Sequence, residues 1–236
     1  MNTFRENYKE ILLACGLERY ATDGLASRFE ELTVRLLEAN RRMNLTAIKD
    51  ERGIILKHYA DCLLAAQMLP EGARVLDVGC GGGFPTLPFA IVREDLSITA
   101  LDSTAKKLVF VADTAKAMGL RVKTVAGRAE ELGREPVFRE KFDAATARAV
   151  AALPVLSEWC LPFIRVGGVF LAMKGAAGKE ELAQAQNALK VLGGEVSAVE
   201  EKALDGALRV NVLVRKVRNT PPGYPRKNAQ ILKNPL

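Results

Sequence analysis

From Ala73 onward the chain alternates short apolar runs with longer amphipathic stretches. Runs at 73–78, 97–102, 121–126, 142–147 and 167–173 read as buried strands, and segments 86–92, 104–118, 153–165 and 178–192 read as helices between them. Such alternation predicts a parallel sheet with right-handed crossovers and helices on its faces. Two further strands, near 194–200 and 207–216, follow each other through Asp205-Gly206, a hairpin signal. Ahead of this pattern, residues 1–69 read as helical. Leu25, Phe29, Leu32 and Leu36 recur at spacings of four, three and four, which is one helix face. Asp23 is the expected N-cap of that helix and 40–44 its end, and a second helix is expected from Glu51 to Leu69, closed by Pro70. The pattern divides the chain into an N-terminal helical subdomain (1–69), an α/β domain (70–217) and a basic, proline-containing tail (218–236) expected to pack on it.

One loop dominates the α/β part. The first strand ends in Asp77, and glycines follow at 79, 81, 82 and 83, then Phe84 and Pro85. Glycines permit positive φ and let ligand atoms lie directly on the backbone at a strand-to-helix turn. A dinucleotide loop wants glycine where Phe84 stands. The spacing of Gly79, Gly81 and Gly83 instead resembles the S-adenosylmethionine loop of Rossmann-like methyltransferases. Asp77 would hold the ligand's ammonium through backbone and water, where a pyrophosphate would be repelled. Asp102 ends the second strand, where a carboxylate accepts ribose hydroxyls, beside Ser103; it is equally placed to cap the next helix.

Composition narrows the class. With 49% hydrophobic and 26% charged residues in 236 positions, the chain has the make-up of a globular α/β protein. The net charge of +6 is concentrated at the end: Arg209 to Leu236 holds seven basic residues and no acidic one. Four scattered cysteines and a single histidine offer no zinc set, and free thiols suit a reducing cytoplasm. The longest uncharged stretch, Val78–Val92, is too short to span a bilayer, so no membrane and no metal are expected, and nothing demands more than a monomer.

The remaining candidates sit at strand ends. Gly127-Arg128-Ala129-Glu130 follows the third strand, where backbone groups of Ala129 and Glu130 would read an adenine while Arg128 points outward. Arg148 lies past the fourth strand and Lys174 past the fifth, on the rim where α/β sheets bind ligands. After the fourth strand stands Thr146-Ala147-Arg148-Ala149-Val150, with neither the acidic or Asn-Pro-Pro motif of amine methylation nor the cysteine of pyrimidine C5 methylation. A cationic rim without a base suits an acceptor that already has a lone pair, such as guanine N7, methylated by in-line displacement. His58 and Asp61 lie three apart on one helix face, a spacing that fits packing as well as chemistry.

These motifs, in this order, resemble the bacterial ribosomal RNA small subunit methyltransferase G family, also called glucose-inhibited division protein B. The resemblance rests on Met43-Asn44-Leu45-Thr46, on His58-Tyr59-Ala60-Asp61-Cys62-Leu63, on Asp77 to Pro85, on Leu101-Asp102-Ser103 with Lys106-Lys107, and on Gly127 to Glu130. It continues through Ala147 to Val150, Met173-Lys174-Gly175, Tyr224-Pro225-Arg226-Lys227 and Pro235-Leu236. It implies a class I S-adenosylmethionine-dependent fold: a seven-stranded, mostly parallel sheet with an antiparallel C-terminal hairpin. It implies an enzyme that methylates N7 of one guanine in 16S rRNA of the small ribosomal subunit, leaving S-adenosylhomocysteine. Carried over by position, Gly79, Phe84, Ala129, Glu130 and Arg148 would touch the cofactor, and Arg128, Lys174, Arg209, Arg226 and Lys227 the RNA. The partner would be RNA and not DNA. About four engaged phosphates would give log affinity a slope near −3 against log salt. Thr86 and Cys62 stand where the family usually has glycine and serine. The alternatives are a methyltransferase for another RNA, a protein or a small molecule, a non-enzymatic ribosome-binding module, and an NAD-type oxidoreductase, which Phe84 opposes.

Overall fold

The computed structural model describes residues 3–236. The chain opens with α1 (Phe4–Ala14), whose first turn is closed reciprocally by the side chains of Thr3 and Glu6. α2 (Asp23–Met43) follows; its N-cap is Thr22, one residue before the expected Asp23, and it ends at Asn44 in the left-handed region. Its expected face is buried: Phe29, Leu32 and Leu36 are shielded from water, and Phe29 stacks between Tyr8 and Tyr59.

The second expected helix is not uniform. It runs as α3 (Glu51–Ile54), a π-helical turn over Ile55–Ala60, α4 (Asp61–Ala65) and a 3₁₀ turn over Ala66–Met68. In the wide turn the Asp61 N–H reaches the Leu56 carbonyl and bypasses that of Lys57, which accepts instead from Arg148 Nη1 at 2.9 Å. Wide turns of this kind concentrate at functional sites.

The sheet strands are β1 (Arg74–Val78), β2 (Ser97–Asp102), β3 (Val122–Ala126), β4 (Phe142–Arg148), β5 (Ile164–Lys174), β6 (Gly194–Leu204) and β7 (Ala207–Lys216). Their spatial order is β3-β2-β1-β4-β5-β7-β6, with β7 antiparallel to both neighbours and the rest parallel. Between them lie α5 (Thr86–Val92), α6 (Ala105–Ala117), α7 (Ala129–Leu132), α8 (Leu153–Cys160), α9 (Gly178–Gln184) and α10 (Gln186–Leu192), and the chain ends with α11 (Asn228–Lys233). The helix expected over 153–165 stops at Cys160, because Pro162 cannot continue it; a 3₁₀ turn leads straight into β5. The helix expected over 178–192 is two pieces that meet at Ala185.

Alternate residues of each central strand serve two cores. Val75, Ile98, Ala144 and Leu171 face the N-terminal helices, while Leu76, Val78, Phe170 and Val212 face α8 to α10. The N-terminal helices therefore form a layer of the fold. The tail is bonded down: Arg139 donates to the carbonyls of Thr220, Pro221 and Tyr224, and Arg226 forks onto the fully buried Glu158.

Candidate active site

A cavity of about 480 Å³ opens at the carboxyl ends of β1 to β4. It lies where the strand order reverses between β1 and β4, the place at which open α/β sheets bind ligands. Its floor is the glycine loop. Gly79 and Cys80 donate their N–H groups to the Leu101 carbonyl, and Gly81 N donates to Asp102 Oδ2 at 2.9 Å. Gly79, Gly81 and Gly83 have φ of +74°, +53° and +88°. A Cβ on Gly79 would meet Val150 at 2.8 Å, and one on Gly82 would meet the Leu45 carbonyl at 3.1 Å. The bare backbone thus lets the loop fit between the chain after β4 and the chain after α2.

Asp102 lines the cavity and is held by two backbone donors, Gly81 N and Thr104 N. Asp102 is not the cap expected of it, since the N-cap of α6 is Thr104; the Thr104 bond fixes the turn before that helix, and each carboxylate oxygen keeps a second lone pair. Ser103, Ala129, Glu130 and Arg128 line the same cavity, with Glu130 buried and Arg128 exposed. Asp77 does not. It is buried behind the loop, where Oδ2 accepts from the N–H and the hydroxyl of Thr86 at 3.2 and 2.5 Å. Thr86 therefore starts α5 by anchoring to Asp77, which settles how this helix begins without a glycine. Burial pushes the Asp77 carboxyl up to about 7, against the pull of the Thr86 donors. Asp77 Oδ1, Thr146 Oγ1 and Arg148 Nε are buried without partners.

Arg148 joins most of the motifs. Its Nη1 donates to Asp61 Oδ2 at 2.8 Å and its Nη2 to His58 Nδ1 at 3.1 Å. Its guanidinium lies 5.6 Å from the centre of the Phe84 ring, on which the His58 ring also stacks at 4.3 Å. Because arginine only donates, His58 Nδ1 is the acceptor and Nε2 carries the proton, which it gives to Thr46 Oγ1 at 2.8 Å. Burial and the adjacent Arg148 push the His58 pKa down to about 3, so the ring is neutral. Asn40 bonds both the N–H and the carbonyl of Thr46, fixing the loop after α2 whose Leu45 abuts Gly82. The Cys80 thiol, also on the cavity, is pushed far above its ordinary range by burial.

Three cations expected on the RNA side are engaged internally. Lys174 is 8% exposed in its side chain and bonds the Ala151 carbonyl and Glu181, both at 2.7 Å. It buttresses the loop after β4 and does not stand on the rim. Arg209 donates to Asp61 Oδ1 at 2.9 Å, and Arg226 is spent on Glu158. Arg128 remains open at the cavity mouth and Lys227 is exposed. The cavity also recruits Leu45, Lys107, Val150, Trp159 and Asn228. Leu45 and Lys107 sit inside quoted motifs, whereas nothing local marked Trp159 or Asn228.

The sheet order and the cavity above its glycine loop define a Rossmann-like class I methyltransferase fold. Two solved structures of that kind align with the chain. The 1,6-didemethyltoxoflavin-N1-methyltransferase of Burkholderia thailandensis, solved with S-adenosylhomocysteine, matches at TM-score 0.54 and 18% identity, over 81% of this chain and 90% of that one. TYW2 of M. jannaschii, solved with AdoMet, matches at 0.56 and 14%, over 72% and 80%.

The chain belongs to the rRNA small subunit methyltransferase G (GidB) family, whose family model matches residues 26–208. It is 47% identical over 234 residues to the ribosomal RNA small subunit methyltransferase G of Deinococcus deserti, covering 96% of both chains. It is 42% identical to that of Brevibacillus brevis, covering 98% of this chain and 99% of the relative.

Proposed function

We propose that this protein transfers a methyl group from S-adenosylmethionine to N7 of one guanine in 16S rRNA of the small ribosomal subunit, acting as a cytoplasmic monomer. The residues fit the cofactor. The cradle at Gly79 and Gly82 has no room for a Cβ, and buried polar atoms of Asp77 and Arg148 stand unpaired beneath it. Gly79, Gly81 and Phe84 would hold its amino-acid part with Asp77 behind them. Asp102 and Ser103 would take the ribose, and Ala129 and Glu130 the base. When bound, the cofactor supplies an electrophilic methyl on a sulfonium.

The observation that carries the N7 reading is the end of β4, where the cavity meets Arg148 in place of a base. His58 is neutral with both ring nitrogens occupied, and the Cys80 thiol is held protonated. Among the described residues, no side chain at the end of β4 is free to take a proton or to attack a pyrimidine. Guanine N7 needs neither, because its lone pair attacks the methyl carbon as the carbon–sulfur bond breaks and no proton leaves. Arg148, held by Asp61, orients Phe84, and Lys174 acts at one remove by fixing the loop that carries Val150. The N7 edge is unreadable in an A-form groove, so the target guanine lies in a loop or is splayed out.

The test is methyl transfer to small subunits lacking the mark, to naked 16S rRNA and to free guanosine, with the product mapped as N7-methylguanine. Labelling of one guanine in the subunit or its RNA is expected. Labelling of free guanosine alone, or of another atom, would overturn the reading. Asp102→Ala should weaken cofactor binding about ten- to a hundredfold by calorimetry, the loss of charge-assisted hydrogen bonds.

A further inference from the structure

With Lys174, Arg209 and Arg226 tied to acids, RNA at this cavity needs other cations. Two helices bring them there. α2 ends beside the cavity, since Leu45, two residues beyond it, abuts Gly82 of the glycine loop. α6 starts beside it, because that helix follows the carboxyl end of β2. The end of α2 and the first half of α6 pack together and share a groove lined by Arg42, Met43, Val109 and Phe110.

Four cations stand at this junction: Arg41 and Arg42 in the last turn of α2, Lys106 and Lys107 in the first turn of α6. Arg41, Arg42 and Lys106 are exposed, and Lys107 is half-buried on the cavity wall. Among the described residues, none of the four has an acid within ion-pair distance. The acids of the groove, Glu38 and Asp113, lie farther from the cavity. Glu38 is one turn before Arg42, and Asp113 is about two turns after Lys106. The two arginines suit the carboxyl end of the helix they close. The two lysines do not suit theirs: the amino end of a helix is partly positive, and α6 has no acid in its first turn to offset them. A local charge conflict that nothing in the fold relieves marks a place where an outside anion does.

We infer that Arg41, Arg42, Lys106 and Lys107 form a phosphate-binding surface for the RNA strand beside the target guanine, with Arg128 at the same cavity mouth. Exposed lysines and arginines at helix ends meet phosphates, so the surface positions the strand and does not read its sequence. The inference rests on the RNA reading above. It moves the main RNA contact from the tail to the N-terminal helices and α6.

The test is binding of the full-length protein to naked 16S rRNA across salt from about 50 to 200 mM, with calorimetry of S-adenosylhomocysteine beside it. Arg41→Ala combined with Arg42→Ala should flatten the slope of log affinity against log salt by about 1.4, and Lys106→Ala by about 0.7, at roughly 0.7 per phosphate of a single strand. In methyl transfer to small subunits lacking the mark, the arginine pair should raise KM about ten- to thirtyfold and hold kcat, the factor that two such contacts carry between about 0.1 and 1 M salt. Affinity for S-adenosylhomocysteine should not change in any of these variants. Lys116→Ala combined with Lys141→Ala removes as much exposed charge elsewhere, at the far end of α6 and at the amino end of β4, and should leave slope and KM as they were. Unchanged slope or KM in the surface variants, equal flattening in the control pair, or a fall in cofactor affinity would overturn the inference and leave the RNA reading standing. An unmodified protein that binds 16S rRNA with a flat salt response, or not at all, is a distinct result that removes the RNA reading and this surface with it.

Discussion

Replacing Asp61 by asparagine should be among the most damaging isosteric changes in this chain. The carboxylate bonds two cations, Arg148 through Oδ2 at 2.8 Å and Arg209 through Oδ1 at 2.9 Å. The three side chains are only 12%, 14% and 21% exposed, so water screens the group poorly. At an effective dielectric near 20, each pair is worth about 4 kcal/mol of attraction at a charge separation near 4 Å. Repulsion between the two guanidinium groups and the desolvation of all three offset part of this. Removing the shared anion leaves two poorly solvated cations facing one another, and breaking a buried pair in this way costs about 3–5 kcal/mol. For a chain of this length that lowers Tm by roughly 6–20 °C. Urea unfolding followed by circular dichroism measures the loss as a shift in midpoint at constant slope. Asp61→Leu combined with Arg148→Leu should recover part of the loss, since the pair is then removed together. A loss below about 1 kcal/mol in Asp61→Asn would refute the reasoning, because it would place the cluster with surface ion pairs.

His58 is the single histidine, so NMR reads it without ambiguity. Its ring should stay neutral, protonated at Nε2, from pH 8 down to below pH 5, and a midpoint near 6.5 would contradict the network around it. Since its folded pKa lies below the unfolded one, the stability it contributes is full above about pH 6.5 and fades as pH falls toward 3, so His58→Gln should flatten that acid limb. Gly82→Ala should cost about 1–3 kcal/mol in urea unfolding and weaken cofactor binding, as its Cβ meets Leu45, whereas Gly24→Ala, with nothing within 4 Å, should be neutral or stabilising. In RNA binding, Arg128→Ala and Lys227→Ala should each flatten the salt slope by about 0.7, while Lys174→Ala should lower stability and leave the slope alone.

What the sequence made legible was local. The carboxyl ends of β1 to β5 are read from patterns within a few residues and lie within one residue of prediction, whereas β5 starts three residues early and β6 runs four residues further. The sharing of Asp61 between Arg148 and Arg209 joins residues more than sixty positions apart, and no local pattern contains it. For the same reason Lys174, Arg209 and Arg226 looked like free cations when their acids, Glu181, Asp61 and Glu158, lay elsewhere in the chain. The break at Ile55–Ala60 was hidden because a π turn keeps helical composition and changes only which carbonyl is left over. Asn228 was invisible because it joins the cavity wall only when the tail folds back beside α8.

The core beneath Tyr8, Phe29 and Tyr59 is shared with α5 and α6, which the N-terminal helices cover in turn. A shortened chain beginning at Pro70 would open the apolar surface that these helices share with α5, α6 and the sheet, and would deprive the glycine loop of its Leu45 backstop. Such a fragment should clump and not behave as a minimal enzyme, and the opening helices cannot be traded between proteins as an accessory module.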